Sequence, residues 1–148
     1  MVQKKELTEL ERNKLIQKGT KKLEGFFDIL FEGWRNDPNM NNTPERFTKA
    51  FVNDITKSLY TSQDFKITSF ENIEKYDGIV LQANISVKSL CSHHLQNIDG
   101  IAHVAYIPSK NGKIVGLSKL NRIVHYFSRM PQVQENLTQQ IHDYVNLV

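Results

Sequence analysis

Cysteine is the scarcest informative residue in this chain of 148: there is one, Cys91. A single cysteine excludes an internal disulfide framework and fits a reducing compartment. Long apolar runs are missing as well. No window approaches the ~20 apolar residues of a membrane span. Lys4, Lys5 and Glu6 stand where the apolar core of a secretory leader would begin, so a cytoplasmic location is the expectation. Blocks of like charge are also absent. The net charge of +3 comes from basic residues scattered among acids, which argues against nucleic acid or a membrane surface as a partner. Solvated lysines explain most of that excess, and a small anionic substrate would explain the rest. Gly112 and Gly116 fit no phosphate-loop spacing, and no repeat, low-complexity tract or linker is visible. What remains, 39% hydrophobic and 24% charged residues, is the make-up of a globular domain able to bury a core.

The chain opens with a helical pattern over residues 1–34, in which Leu15, Leu23, Phe26, Phe27, Leu30 and Phe31 share a face. Gly19 and Gly25 weaken it, leaving one interrupted helix or two shorter ones. After a loop rich in asparagine, Thr43-Pro44-Glu45-Arg46 reads as a helix start. Thr43 would be the cap, Pro44 the first helical position and Glu45 the complement to the dipole. Phe47, Ala50, Phe51, Ile55 and Leu59 would form its apolar face, with Arg46 and Lys49 on another. Residues 65–70 suggest a short strand. Asp77-Gly78 is a turn before a long strand over 79–90, and Asp99-Gly100 precedes another over 101–108. Asn111-Gly112 predicts a tight hairpin into residues 113–117. Ser118 would cap a helix with Leu120, Ile123, Val124 and Phe127 inward, and Pro131 would end it. A last helix carries Val133, Leu137, Ile141, Tyr144, Val145 and Val148 at helical spacing, without a glycine cap or a basic last turn. That ending suggests a fold completed by further polypeptide.

The chemistry concentrates in Ser89-Leu90-Cys91-Ser92-His93-His94-Leu95. Odd positions from Ile79 to Cys91 alternate as one face of a strand, and the histidines follow as the chain turns away. A thiolate and an imidazole at Cys-x-x-His spacing can reach one zinc ion. Taken alone, the same residues could be a packed cysteine and two polar loop histidines. Only His103, inside a strand, is otherwise a candidate to approach such a metal; His125 and His142 read as structural or surface residues.

Cys91-Ser92-His93-His94, Ile98-Asp99-Gly100, Val104 to Pro108, Gly116 to Val124 and Gln132 to Thr138, taken in order with Thr43 to Arg46, resemble the GTP cyclohydrolase I family. The resemblance spans roughly residues 20–145. It implies an α+β tunnelling fold: an antiparallel sheet with two helices on one face over residues 63–148, preceded by a helical extension over 1–62. It implies Zn2+ as cofactor, GTP as substrate, and a homo-oligomer, a decamer, as the assembly. By position, Cys91 and His94 would be zinc ligands and His93 the acid/base group beside the metal. Gln134 and Glu135 would read the guanine edge, and Ser118, Lys119, Arg122, Arg46 and Lys49 would hold the triphosphate. Without the resemblance, Gln134 and Glu135 would be a solvated helix start, Ser118 a cap, and the basic side chains surface charge.

Two departures stand out. Ser92 replaces an acidic residue usual in the family. The family also continues into two further strands that bear a second zinc-ligating cysteine, another histidine and an arginine, whereas this chain has no second cysteine. The expectation is a fold incomplete at its C-terminus, a weak two-ligand metal site, and little or no activity from the polypeptide alone. A non-catalytic purine- or pterin-binding module is the competing reading. A related tunnelling-fold nitrile reductase, which uses a cysteine nucleophile and NADPH, fits less well with adjacent His93 and His94 and the Ser118–Arg122 cluster.

Overall fold

The structure, a computed structural model, describes residues 4–62 and 67–147. It separates into two compact units, Met1–Ser62 and Gln63–Val148.

The first unit is helical. Helix α1 runs Glu9–Leu30, shorter than expected at both ends; residues 1–3 lie outside the described residues. Its start is fixed by a capping box: Glu11 N–H donates to Thr8 Oγ1, and Thr8 N–H donates to Glu11 Oε2 at 2.8 Å. Beyond its end, Gly33 takes φ 76 and starts a short 3-10 turn, Trp34–Asn36. Trp34 is buried there, its indole N–H donating to Asp28 while Arg35 pairs with the same carboxylate. Neither internal glycine breaks α1. Gly19 marks a close approach instead: a Cβ there would sit 2.9 Å from Thr48 Cγ2 on the next helix.

That helix, α2, spans Thr43–Ala50. Thr43 lies inside it rather than capping it, and Asn42 precedes it with no side-chain cap. The winding then loosens into a π-turn, Phe51–Ile55, and tightens into a 3-10 turn, Lys57–Leu59. The buried stripe is Pro44, Thr48 and Val52, spaced by four and facing α1, while Phe47 and Ile55 of the expected apolar face are exposed. Thr48 buries its hydroxyl at no polar cost by donating to Pro44 O at 2.7 Å.

The second unit is the α+β unit. Strand β1 is Ser69–Glu71, and residues 65 and 66 of the expected 65–70 strand lie outside the described residues. Strands β2 (Val80–Cys91) and β3 (Asn97–Tyr106) form a long antiparallel hairpin. Asp99 and Gly100 are not a turn: they sit within β3, opposite Lys88 and Val87. The expected alternation along β2 also breaks. A bulge lies between Gln82 and Ile85, with Asn84 at φ 58, so Ile85, Val87 and Ser89 face inward while Ile79 and Leu81 are exposed. An extra residue in one strand reverses the facing of everything before it. Asn84 N–H donates to His103 Nδ1 across the bulge at 3.3 Å. His103 is thereby held about seven residues, or ~23 Å of strand, from Cys91, so it does not approach the thiol.

Strand β4, Lys113–Val115, pairs with β1 rather than closing a hairpin with β3. Tyr106 bridges the two sheets, its hydroxyl donating to Val115 O and accepting from Val115 N–H. Helix α3 (Leu117–Ser128) packs on β2 and places Leu120, Ile123 and Val124 at the centre of the core, each fully buried. Its cap position is Gly116, not Ser118. After Pro131 interrupts the helical path, Pro131 and Gln132 form β5, parallel to the end of β2. Helix α4, Gln134–Leu147, then packs beside α3 through buried Leu137 and Ile141 and the edge-on ring pair Phe127–Tyr144.

Candidate functional site

The three-stranded sheet has the order β3-β2-β5, so Cys91 ends its central strand. The turn beyond it is closed by backbone bonds: Cys91 N–H donates to Gln96 O at 2.7 Å and Leu95 N–H to Cys91 O at 2.8 Å. To make that turn, Leu95 adopts φ 55, a conformation costing a branched residue ~1–2 kcal/mol. The cost is borne by the segment that presents His93 and His94. Both imidazoles are exposed, Cys91 is half-buried, and the two rings lie 6.3 Å apart.

Cys91 Sγ is 3.6 Å from His93 Nδ1. That is hydrogen-bond range for sulfur. It is also close to the separation, roughly 3.6 Å, of a thiolate and an imidazole sharing one tetrahedral zinc with bonds of ~2.3 and ~2.0 Å. The donor chemistry of the turn therefore suits zinc. However, no group of three or more His, Cys, Asp or Glu side chains is arranged to hold a metal among the described residues. The turn offers part of a site, not a closed one.

Strand β5 brings a second set of residues to this turn. Pro131 and Gln132 pair with Leu90 and Cys91, and Ser92 N–H donates to Gln132 O at 2.9 Å. Ser89, buried on β2, donates its hydroxyl to Met130 O at 3.1 Å. Gln134 and Glu135, two and three residues beyond Gln132, open α4 with both side chains exposed. Gln134 lines a groove of about 660 Å3 between α4 and β3, whose walls include Ile98, Val104, Leu137 and Ile141. The fold thus joins a thiol–imidazole turn to a carboxamide–carboxylate pair at a helix start.

Other expected site residues lie elsewhere. Ser118 and Lys119 are in the first turn of α3, with Arg122 one turn on. Helix α3 is ~17 Å long from end to end, and its far end leads into β5, so Ser118 and Lys119 lie at the opposite end of α3 from the segment that pairs with Cys91. Their setting suits an anion: Ser118 and Arg122 are exposed, and a helix start carries partial positive charge. Arg46 and Lys49 belong to the helical unit and have local partners. Arg46 donates to Asn39 O and Thr43 Oγ1. Lys49 pairs with Glu45 at 2.6 Å and holds that carboxyl below its usual range.

Sequence reasoning missed Gln132. It entered the sequence reading only as the first residue of the family-like run Gln132 to Thr138, with no role of its own, yet it is 2% exposed. A two-residue parallel pairing leaves no periodic signal.

An antiparallel hairpin sheet with two helices on one face, and its reactive turn hung from the segment that opens the second helix, is a tunnelling-type α+β unit. The family model for GTP cyclohydrolase I matches residues 24–148, and the chain belongs to that family. It is 46% identical over 128 residues to a protein of Aeromonas salmonicida named GTP cyclohydrolase 1, covering 84% of this chain and 58% of that protein. A protein of the same name from Flavobacterium johnsoniae is 44% identical over 126 residues, covering 85% and 55%. Another from Vibrio cholerae is 49% identical over 105 residues, covering 71% and 48%. The chain thus spans about half the length of these curated relatives, from 48% to 58%. No described helix is long and apolar enough to cross a membrane.

Proposed function

We propose that this chain carries the guanine-reading and metal-binding parts of a zinc-dependent GTP cyclohydrolase I, which opens the imidazole ring of GTP and yields formate and 7,8-dihydroneopterin triphosphate. The observation that carries this reading is the 2.9 Å bond from Ser92 N–H to Gln132 O. It joins the Cys91 turn to the segment that presents Gln134 and Glu135.

Glu135 would accept from both N1–H and the exocyclic amine of guanine. Adenine has no N1 proton to offer, so the same carboxylate discriminates against it. Gln134, which can both donate and accept, would complete the edge. Cys91 and His94 would supply two zinc ligands, with the remaining coordination from outside this turn. When bound, zinc lowers the pKa of a coordinated water towards ~7. His93, exposed on the same turn, would donate a proton to the purine nitrogen beside C8 as the ring opens, take one from the water that attacks the formamide, and give it to the amine nitrogen released as the C–N bond to formate breaks. Ser118, Lys119 and Arg122 would hold the triphosphate.

The length of α3 between the two clusters supports a homo-oligomer, a decamer by the family resemblance, in which the phosphate cluster of one copy serves the guanine site of the next. The incomplete set of metal donors favours one second reading, a purine- or pterin-binding module without turnover. Titration of GTP into the zinc-loaded chain, with formate measured alongside, separates them. Zinc-dependent GTP binding with formate release supports the enzyme, and GTP binding without tight zinc or formate release supports the module. No preference for GTP over ATP refutes both.

A further inference from the structure

We propose that Gln132 is a positioning residue that sets the separation between the thiol–imidazole turn and the guanine-reading pair; this rests on the reading of the site given above. Gln132 is buried to 2% exposure, and it connects three elements at once. Its backbone oxygen accepts from Ser92 N–H, next to Cys91, at 2.9 Å. Its side-chain amide donates to Phe127 O at 2.8 Å and to Gln140 Oε1 at 2.8 Å. Phe127 is in the last turn of α3, where carbonyls lack intrahelical partners. Gln140 is in the second turn of α4. Both amide protons are thus used, one on each helix, while the main chain of the same residue holds the reactive turn.

The chemistry explains why glutamine suits this place. A primary amide carries two diverging donors on one nitrogen. Methionine or leucine fills similar space with none, and glutamate brings only acceptors towards two oxygens. Ser89 adds a second tie from β2 to Met130 O, but it does not reach α4. Gln132 couples α4, hence Gln134 and Glu135, to the strand end that carries Cys91. A displacement of ~1 Å at this corner would pass directly to residues two and three positions on, and reacting geometries tolerate little of that.

The test measures coupling rather than stability. For the wild-type chain and for Q132M, the dissociation constant for Zn2+ is measured by chelator competition. That for GTP is measured by equilibrium dialysis with and without saturating Zn2+, below the melting temperature of each protein. The expected result is that Q132M binds Zn2+ much as wild type does, while the tightening of GTP binding by Zn2+ falls by about tenfold or more. Wild-type coupling in Q132M, with only a lowered melting temperature, would overturn the proposal. Should Q132M fail to fold, Q140L removes one acceptor at a half-buried position: reduced coupling supports the proposal, and unchanged coupling overturns it. The underlying site reading fails separately, if Glu135→Gln leaves GTP binding by the wild-type chain untouched; the positioning role then falls with it.

Discussion

Tyr106→Phe removes one oxygen and two hydrogen bonds. The hydroxyl donates to Val115 O at 2.9 Å and accepts from Val115 N–H at 2.8 Å, and Val115 is itself buried. Phenylalanine would leave both backbone groups of Val115 without a partner. An orphaned buried polar group costs ~1–3 kcal/mol, so the substitution should destabilise the unit by ~2–4 kcal/mol, with water entry setting the lower end. At a urea dependence of ~1–3 kcal/mol per molar, the denaturation midpoint falls by about 1 M or more. Val115 directly precedes Gly116 and the first turn of α3, so the loss would also loosen the start of the helix that carries Ser118 and Lys119, the proposed triphosphate contacts. Burial also pushes the Tyr106 pKa above its ordinary 10.0. A group with a raised folded pKa binds more protons when folded. Its contribution is therefore complete below pH ~10 and is lost as pH rises through the raised value, a decline that Y106F would lack. Urea melts of both proteins at neutral and alkaline pH make the comparison. A Y106F unfolding free energy within ~0.5 kcal/mol of wild type would refute the bridging role.

Gly19→Val should destabilise the helical unit by ~1–3 kcal/mol, because its Cβ would press against the Thr48 methyl, whereas Gly25→Ala, with nothing within 4 Å, should stabilise it by ~0.5–1 kcal/mol; thermal melts check both. The Asp28 carboxyl is held below its usual range first by Arg35 and then by Trp34. Its contribution should be present above pH ~4 and lost as pH falls through the depressed value, so acid titration of Asp28→Asn should be flatter there. His94→Ala should weaken Zn2+ binding about tenfold or more, and His93→Ala much less. The reverse order in chelator competition would make His93, whose Nδ1 lies 3.6 Å from the thiol, the ligand. Glu135→Gln should weaken GTP binding by about 10- to 100-fold and leave Zn2+ binding unchanged, as read by dialysis.

Local patterns in the sequence carried the elements whose signals are periodic. Leu120, Ile123, Val124 and Phe127 recur at helical spacing and form the buried face of α3. The cysteine at the end of a strand, with two histidines in the turn beyond, was legible for the same reason. Other features depend on partners distant in sequence. The alternation from Ile79 to Cys91 hid a bulge, although asparagine at position 84 is a residue that tolerates the left-handed conformation it adopts. Asp99-Gly100 carries a turn signal yet lies inside β3, because pairing with Val87 and Lys88 overrides local propensity. The partner of β4 is β1, more than forty residues earlier. The buried role of Gln132 arises only once α3, β5 and α4 converge. Ser118 looked like a cap because its residue type favours caps, but the helix starts one residue earlier and leaves its hydroxyl exposed.

Cobalt can report whether the sulfur of Cys91 and the guanine recognised by Glu135 occupy one cleft. The chain is saturated with Co2+, the sulfur-to-cobalt charge-transfer band is recorded, and GTP or ATP is then added. The account requires a band that vanishes in Cys91→Ser, shifts on addition of GTP, and stays put with ATP. A Cys91-dependent band that saturating GTP leaves unchanged would contradict it.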